Sequence, residues 1–262
     1  MKGKVRSLLE YWWKSDTIYR LHPPFLYQIA NNVFEKNEHY YDFDTIEERY
    51  SQLLQRQESI ESNDFSKSRK QAENRIGKFA SKAIHHPSEL FKLYNLVRII
   101  KPSSILELGS CMGISTLTLG LAANHSSVVG IEGNPQFSQI ATEITSITKN
   151  VKIVHSLFEN YLQSLTNEKF DFIFLDGDHT YEATISIVTQ LKTHLQENSV
   201  ILLDDIHWSE GMYKAWNEIT QWKEFSCSLE TLRWGILFCN QNLTRGKFTL
   251  IPGQYKIWQK YI

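Results

Sequence analysis

The segment Ser104–Ser115, which reads SILELGSCMGIS, constrains the fold more than any other part of this chain. Its opening residues favour a buried strand, and Pro102 ends any helix that precedes it. Gly109 and Gly113 then flank a turn in which the backbone can approach a ligand without obstruction from a Cβ atom. A helix over 113–124 is expected next, with its free N–H groups directed at whatever the turn binds. Strand, glycine turn and helix in this order predict the first half of a βαβ unit.

Two classes of ligand bind turns of this kind, and the residues distinguish them. A dinucleotide fingerprint requires G-x-G-x-x-G, but the second residue after Gly109 is Cys111, so that pattern fails. What remains is E-x-G-x-x-x-G, with Glu107 at the strand end. A carboxylate there would repel a pyrophosphate, whereas it suits the ammonium and sulfonium groups of S-adenosylmethionine (SAM).

A second acidic strand end follows at the spacing expected for the next strand of such a unit. The segment Val128–Pro135, VVGIEGNP, is an apolar strand that ends in Glu132. An acid about 20 positions beyond a glycine turn usually accepts hydrogen bonds from both hydroxyls of a ribose. Pro135 opens the next helix, where its missing N–H has no energetic cost. The two motifs together predict a cofactor that contains a nucleoside.

The composition excludes several other classes of protein. The chain has 262 residues, of which 42% are hydrophobic, so one domain with an extension can bury a sizeable core. The formal net charge is −1 and no long run of Lys or Arg occurs, so nucleic-acid binding has no electrostatic support. The three cysteines lack metal-type spacing, and the N-terminus resembles neither a signal peptide nor a membrane span. These features predict a cytoplasmic protein.

The chain divides into two regions of different composition near residue 85. Residues 1–85 contain no strand rich in Val and Ile, so a helical N-terminal extension is expected there, followed by a catalytic domain over 86–262. The polar, Ser-rich segment 58–70 is the best candidate for a mobile loop. The expected helices of the extension are 4–14, 24–36 and 44–60.

From residue 104 onward, apolar strands alternate with helices. The strands are nearly continuous apolar runs, such as FDFIFL and SVILLD, which is typical of strands covered on both faces. The pattern predicts an α/β fold with a doubly wound, mostly parallel sheet of seven strands, finished by antiparallel strands near the C-terminus. The first five strands are expected at 104–108, 127–132, 151–155, 170–175 and 199–204.

Over residues 85–240 the chain resembles the class I SAM-dependent methyltransferases, and among them the small-molecule O-methyltransferases. ELGSCMGIS is similar to the glycine motif of the catechol-type enzymes, and IEGNP resembles their ribose-binding motif. The resemblance implies a Rossmann-like fold with SAM as cofactor. It implies that Glu132 binds the ribose and that Ser156 contacts the adenine. The residues implied for the methionine half are Glu107, Gly109, Ser110, Gly113 and Ser115.

Acidic residues and histidines follow the fourth and fifth strands, at the edge where open α/β sheets bind ligands. They are Asp176, Asp178 and His179 after the fourth strand, and Asp204, Asp205 and His207 after the fifth. Methyl transfer to oxygen requires an acceptor that is held near the methyl group and has lost its proton. A divalent cation such as Mg²⁺, held by carboxylates, would position a hydroxyl and lower its pKa.

The metal-dependent O-methyltransferases that this chain resembles use an Asp after the fourth strand and an acid pair, or Asp-Asn, after the fifth. The resemblance implies a divalent cation on Asp176, Asp204 and Asp205, with Asp176 also among the cofactor-binding residues. Ile206 stands where the catechol type has Asn. Both Asp204 and Asp205 can be ligands only if the strand has already ended at Asp204, because neighbouring strand residues face opposite ways. Otherwise Asp204 caps the following turn, or His207 replaces one of the two.

The resemblance also implies the catalytic residues. His179 falls where the catechol-type enzymes carry a basic residue, and Asp178 matches an acid proposed as the base in the sugar type. The expected substrate is a hydroxylated small molecule such as a phenol, a sugar or a polyketide. The extension is expected to form a lid or a homodimer contact.

Two other functions remain open from the sequence. The first is a non-catalytic SAM-binding scaffold, although such a protein would be expected to lose its strand-end acids. The second is an NAD(P)-dependent or nucleotide-sugar oxidoreductase, which Cys111 and Glu107 disfavour.

Overall fold

The computed structural model describes residues 9–36, 38–60 and 75–260. The start of the helix predicted at 4–14 and most of the loop predicted at 58–70 lie outside these residues. Among the described residues, no helix has the length and apolar character needed to cross a membrane.

The described residues contain eight strands, which are numbered along the chain. Of the strand pairs inside the two compact units described below, four are parallel and two are antiparallel, which confirms an α/β fold with a mostly parallel sheet. The strands are β1 Ser104–Leu108, β2 Ser127–Glu132, β3 Val151–His155, β4 Phe170–Leu175, β5 Leu195–Leu203, β6 Cys227–Glu230, β7 Gly235–Phe238 and β8 Gly246–Thr249.

The α-helices are numbered in the same way. They are α1 Pro24–Ile29, α2 Tyr41–Gln55, α3 Ile76–Ala83, α4 Pro87–Ile100, α5 Ile114–Ala122, α6 Pro135–Thr145, α7 Phe158–Ser164, α8 Tyr181–Leu191 and α9 Glu210–Ile219. Residues 9–14 are also helical, and a π-helical segment, Ala30–Glu35, continues α1. Short 3₁₀ turns cover Ile18–Arg20, Lys192–His194, Gly253–Tyr255 and Ile257–Lys260.

The chain forms two compact units. The first contains the described residues up to 36 together with 104–108 and 162–260, and the second contains 38–60, 75–103 and 109–161. The described residues of the predicted extension are therefore shared between the units. Its boundary at residue 85 stays a prediction.

The first unit contains β1, β4 and β5 as neighbouring parallel strands, followed by β7, β6 and β8 in that order. β7 is antiparallel to both β5 and β6, whereas β8 is parallel to β6. Because β7 ends beside Cys227, the first residue of β6, a short connection can begin β8 at the same level. The sheet therefore gains an eighth strand in parallel orientation, where seven strands and an antiparallel end were predicted.

The second unit packs helices α2–α6 around an apolar cluster beside the parallel pair β2 and β3. Phe43 of α2 stacks on Phe91 of α4 at 3.9 Å between ring centroids, and Tyr94 meets Phe43 edge-on at 5.1 Å. Met112 and Ile114, which flank the end of the glycine turn, are buried in the same cluster. Burial of each such side chain contributes about 1.5–3 kcal/mol, so this core anchors the turn.

Candidate active site

In the second unit, the glycine turn is held against the end of β2 by backbone hydrogen bonds. The amides of Gly109 and Ser110 both donate to the carbonyl oxygen of Ile131 at 3.0 Å. Gly113 has a φ angle of 83°, and a Cβ atom placed on it would lie 2.7 Å from the Cα of Ala141. Both backbone conformation and packing therefore require glycine at this position.

Helix α5 begins directly after this turn, with Gly113 as its N-cap residue. The amide of Gly113 donates to the carbonyl oxygen of Ser110 at 2.7 Å, which closes the turn. Ser110 and Ser115 are both buried, at 1% and 4% exposure. The turn also approaches β2 closely, because a Cβ on Gly130 would lie 2.3 Å from Ser110 Oγ.

Glu132 is the last residue of β2, and its carboxylate binds both the glycine turn and the residues that follow the strand. Its Oε2 accepts a hydrogen bond from the amide of Cys111 at 2.8 Å, and its Oε1 accepts one from the amide of Asn134 at 2.7 Å. Burial raises the pKa of Glu132, although these amides and that of Gly133 act to lower it. A carboxylate has about four lone-pair sites, so two neutral donors can still bind here. The arrangement fits the two hydroxyls of a ribose.

Ser156 follows β3 beside Glu132. Its amide donates to the Glu132 carbonyl oxygen at 3.0 Å, and the preceding residue, His155, pairs with Glu132 across the two strands. Ser156 Oγ donates to the carbonyl oxygen of Leu157, whose side chain is 58% exposed. An exposed apolar side chain at this strand end can cover one face of an adenine ring.

In the first unit, three parallel strands end at one level. The amide of Asp176 donates to the carbonyl oxygen of Leu108 at 2.9 Å, and the amide of Asp204 donates to that of Leu175 at 3.0 Å. Asp176 and Asp204 are thus the first residues after neighbouring strands. β5 ends at Leu203, so Asp204 and Asp205 lie beyond the strand. Their side chains therefore need not point to opposite faces of the sheet, as neighbouring strand residues do.

Asp204 is completely buried and forms a bidentate ion pair with Arg233, a residue that sequence reasoning did not identify. Arg233 Nε donates to Asp204 Oδ1 at 2.8 Å and Nη2 donates to Oδ2 at 2.7 Å. Arg233 Nε also lies 3.4 Å from Asp205 Oδ1. Burial acts to lower the pKa of Arg233, but the hydrogen bonds and charges of the neighbouring aspartates outweigh it and raise that pKa.

This pair bears on the predicted metal ligands. A cation bound to Asp204 would lie a few ångströms from the guanidinium, where two unit charges about 4 Å apart repel by about 4 kcal/mol near a protein surface. A divalent ion doubles that repulsion. Arg233 therefore disfavours a divalent cation at Asp204 and Asp205, the two acids that it contacts.

The two candidates for the base occupy different environments. His179 Nε2 lies 3.9 Å from Asp176 Oδ1, and both side chains are largely buried. Asp178 is exposed, with a φ angle of 44°, and its carboxylate accepts a hydrogen bond from the Thr180 hydroxyl at 3.1 Å. The ring of Trp208 lies 6.5 Å from that of His179 and is 59% exposed. Of the two, His179 has the carboxylate neighbour that would orient an imidazole base.

His207 packs in an aromatic environment of its own. It is 4% exposed, stacks on Tyr213 at 4.9 Å and meets Tyr11 edge-on at 5.3 Å. Its Nε2 lies 3.4 Å from Glu230 Oε1. These contacts give His207 a role in packing the first unit, and they do not support its use as a metal ligand in place of Asp204 or Asp205.

The predicted site residues thus fall into two groups. The second unit contains Gly109, Ser110, Gly113, Ser115, Glu132 and Ser156. The first unit contains Glu107, which is fully buried in β1, together with Asp176, Asp178, His179, Asp204 and Asp205.

Comparison with known proteins gives a match to one family and one curated relative. Residues 106–206 match the family model of a methyltransferase domain. The O-methyltransferase hkm8 of Aspergillus hancockii is 28% identical over 152 residues, which are 56% of this chain. The match spans 58% of the length of that relative.

Solved structures share the fold at low sequence identity. The O-methyltransferase from Bacillus cereus in complex with S-adenosylhomocysteine (SAH) aligns with a TM-score of 0.55 and 20% identity, covering 80% of this chain and 94% of that one. The O-methyltransferase TomG from Streptomyces achromogenes, involved in tomaymycin synthesis and solved with SAM, aligns with a TM-score of 0.54 and 16% identity, covering 80% and 100%. The fold of this chain is the Rossmann-like fold of these methyltransferases.

Proposed function

We propose that this chain, whose residues 106–206 match a methyltransferase domain, transfers a methyl group from SAM to a hydroxyl oxygen of a small molecule. The observation that carries the proposal is the carboxylate of Glu132, held between the amides of Cys111 and Asn134 at the end of β2. This carboxylate retains lone pairs for two ribose hydroxyls. The SAM- and SAH-bound relatives of the same fold support this cofactor.

The turn itself favours SAM over a dinucleotide. Cys111 occupies the position where a dinucleotide turn needs glycine beside the pyrophosphate, and its φ angle is 47°. Glu107, one residue before the end of β1, adds a negative charge that disfavours a pyrophosphate and suits the cationic end of SAM. An oxidoreductase using NAD(P) is therefore the weaker alternative.

The first unit supplies groups for the acceptor. When SAM is bound, its sulfonium supplies the methyl group. His179 takes the proton of an acceptor hydroxyl on Nδ1, the ring nitrogen that does not face Asp176, and the carboxylate of Asp176, 3.9 Å from Nε2, then stabilises the imidazolium. The exposed indole of Trp208 beside His179 offers a flat apolar surface, which favours an acceptor with a planar ring.

The proposal includes a cytoplasmic location and a lid or homodimer contact formed by residues up to 85. Trp12, Trp13 and Tyr19 of that region are 40%, 80% and 49% exposed. Exposed aromatic side chains of this size are typical of surfaces that cover a ligand or meet a second subunit.

Calorimetric titration with SAH tests the cofactor assignment. We expect micromolar binding to the wild-type protein and a loss of about 100-fold in Glu132→Ala, because the ribose loses its acceptor. Glu143→Ala is the matched control, since Glu143 is an exposed acid of α6 that pairs with Arg56. The control should bind SAH like the wild type. A folded wild-type protein that binds NAD(P) and not SAH would overturn the proposal.

A methyl-transfer assay with a panel of phenols, sugars and polyketides, run with and without a divalent metal such as Mg²⁺, then separates an enzyme from a scaffold. Labelled methyl recovered on an acceptor oxygen supports the enzyme. SAH binding without transfer to any member of the panel favours a SAM-binding scaffold.

Substitution of His179 tests the base. We expect His179→Ala to lower kcat by about 10²- to 10⁴-fold, as loss of a general base does, with little change in SAH affinity. Asp178→Asn, one residue away and exposed, keeps a residue that tolerates the φ angle of 44° and should retain kcat within a few-fold. Near-normal turnover of His179→Ala would show that another group removes the proton.

A further inference from the structure

The position of Arg233 follows from the pairing of strands in the first unit. Arg233 lies in the turn between β6 and β7, and β7 is antiparallel to β5 with Gly235 opposite Leu203. The amide of Ile206 donates to the carbonyl oxygen of Arg233 at 3.1 Å, so the chain beyond β5 continues beside this turn. The backbone therefore brings Arg233 to the acid pair that follows β5.

The guanidinium matches this acid pair in shape and in charge. It forms two nearly parallel hydrogen bonds to Asp204 at 2.7 and 2.8 Å and reaches Asp205 Oδ1 at 3.4 Å. Asp204 is completely buried, whereas the Arg233 side chain is 35% exposed. A completely buried carboxylate requires a cation or several donors, and the planar fork of arginine meets this requirement with defined geometry.

We propose that Arg233 is the resident cation of the Asp204–Asp205 pair and occupies the role that a divalent metal would otherwise fill there. The inference rests on the proposed function only in taking these acids as the acceptor side of a methyltransferase. Arg233 is a positioning residue, because it acts through Asp204 and Asp205.

If Arg233 takes the place of a metal, no metal ion is available there to lower the pKa of the acceptor hydroxyl. An arginine side chain keeps its charge throughout the pH range of proteins, so it cannot be the base itself. The proton must go to a neutral or anionic group, and His179, which has Asp176 as its neighbour, is the group placed to accept it.

Titration with Mn²⁺, followed by the electron paramagnetic resonance signal of the free ion, tests this inference without a methyl acceptor. We expect no stoichiometric Mn²⁺ binding to the wild-type protein. In Arg233→Ala, removal of the positive charge should raise Mn²⁺ affinity at least about 10-fold, since each unit charge near the site changes the ion's energy by several kcal/mol. Arg233→Lys, which keeps the charge, should behave like the wild type.

A double variant shows which acids bind the ion. Asp204→Asn added to Arg233→Ala should abolish the gained affinity. Stoichiometric Mn²⁺ binding by the wild-type protein that is lost in Asp204→Asn would overturn the proposal, and so would a folded Arg233→Ala that gains no Mn²⁺. If Arg233→Ala does not fold, the wild-type and Arg233→Lys titrations decide alone. Failure of SAH binding would contradict the proposed function and leave these titrations unaffected.

Discussion

Two carboxylates at strand ends, one in each unit, are buried with different partners. Glu132 accepts hydrogen bonds from two backbone amides and remains partly exposed. Asp204 is completely buried and pairs with the guanidinium of Arg233. Neutral amides leave the first carboxylate with its negative charge and spare lone pairs, so it can bind a neutral donor from a ligand. The guanidinium balances the charge of the second and occupies both of its oxygens.

The comparison explains why similar strand-end acids need not share a function. Burial raises the pKa of Glu132, which means that folding disfavours its charged form. Such a cost is typical of a residue retained for binding. Asp204 instead has a full counter-charge at hydrogen-bond distance, and removal of either member takes away the two hydrogen bonds and the charge that the other had from it.

The largest expected effect distinguishes the two carboxylates by stability. Asp204→Ala should lower the free energy of unfolding by about 3 kcal/mol, at the low end for a broken buried pair because Arg233 can be partly hydrated. Glu132→Ala should lower it by about 1 kcal/mol or less, since its two amides can bind water. Urea denaturation measures both values.

Asp205→Asn is the control for the first effect, because Asp205 is 30% exposed and lies 3.4 Å from Arg233, and Asn tolerates its φ angle of 49°. A loss of about 0–1 kcal/mol is expected for a pair of this kind. Equal losses for Asp204→Ala and Glu132→Ala would show that the guanidinium does not set Asp204 apart.

A smaller effect tests whether the glycine turn beside Glu132 depends on its backbone conformation, in contrast to Asp204, which depends on charge. Gly113→Ala should lower the free energy of unfolding by about 2 kcal/mol, because an L-residue at a φ angle of 83° is strained and its Cβ would lie 2.7 Å from Ala141 Cα. Gly211→Ala in the first turn of α9 is the control, because its Cβ would meet ordinary contacts at 3.5 Å. The control should be neutral or slightly stabilising. Thermal unfolding of the two variants that gave the same midpoint would contradict this explanation.

The smallest effect concerns pH. Because the folded-state pKa of Glu132 is raised, its contribution to stability is fully present below the unfolded-state pKa and is lost as pH rises through the folded-state value. SAH affinity should change in the opposite sense and fall as pH drops through that raised pKa, by at most about 10-fold per pH unit. Calorimetry from neutral to acid pH measures this fall. Glu132→Gln should lack it, and an unchanged profile in that variant would assign the dependence to another group.

Much of the fold could be predicted because strands such as β1 and β4 are buried along almost their whole length. β1, β2, β3 and β4 have the bounds that their apolar runs predict. β5 begins at Leu195, four residues before the predicted 199. The prediction missed this start because the residues that follow Leu195 are polar and the pairing of β5 with β4 is irregular there. Polar residues in an irregular strand lack the apolar signal from which strands are recognised.

Much of the candidate site could also be predicted, but the partner of its most buried aspartate could not. The spacing of Gly109, Gly113 and Glu132 along one βαβ unit predicts a local arrangement, and these residues meet through hydrogen bonds in one compact unit. Arg233 follows Asp204 by 29 positions and meets it only because β7 returns beside β5. In the sequence, Arg233 is a single basic residue in a hairpin turn, and such residues are too common to indicate an ion pair with a distant aspartate.

The amino-acid sequence by itself determined the order of strands and helices, the glycine turn and the acids at or directly after the ends of β1, β2, β4 and β5. These features depend on residues that are near one another in the chain, and local chemistry decides them. Only the tertiary structure decided which carboxylate accepts hydrogen bonds from neutral amides and which pairs with a guanidinium of the chain. That choice depends on burial and on the charge of a distant partner, and both arise when strands pair.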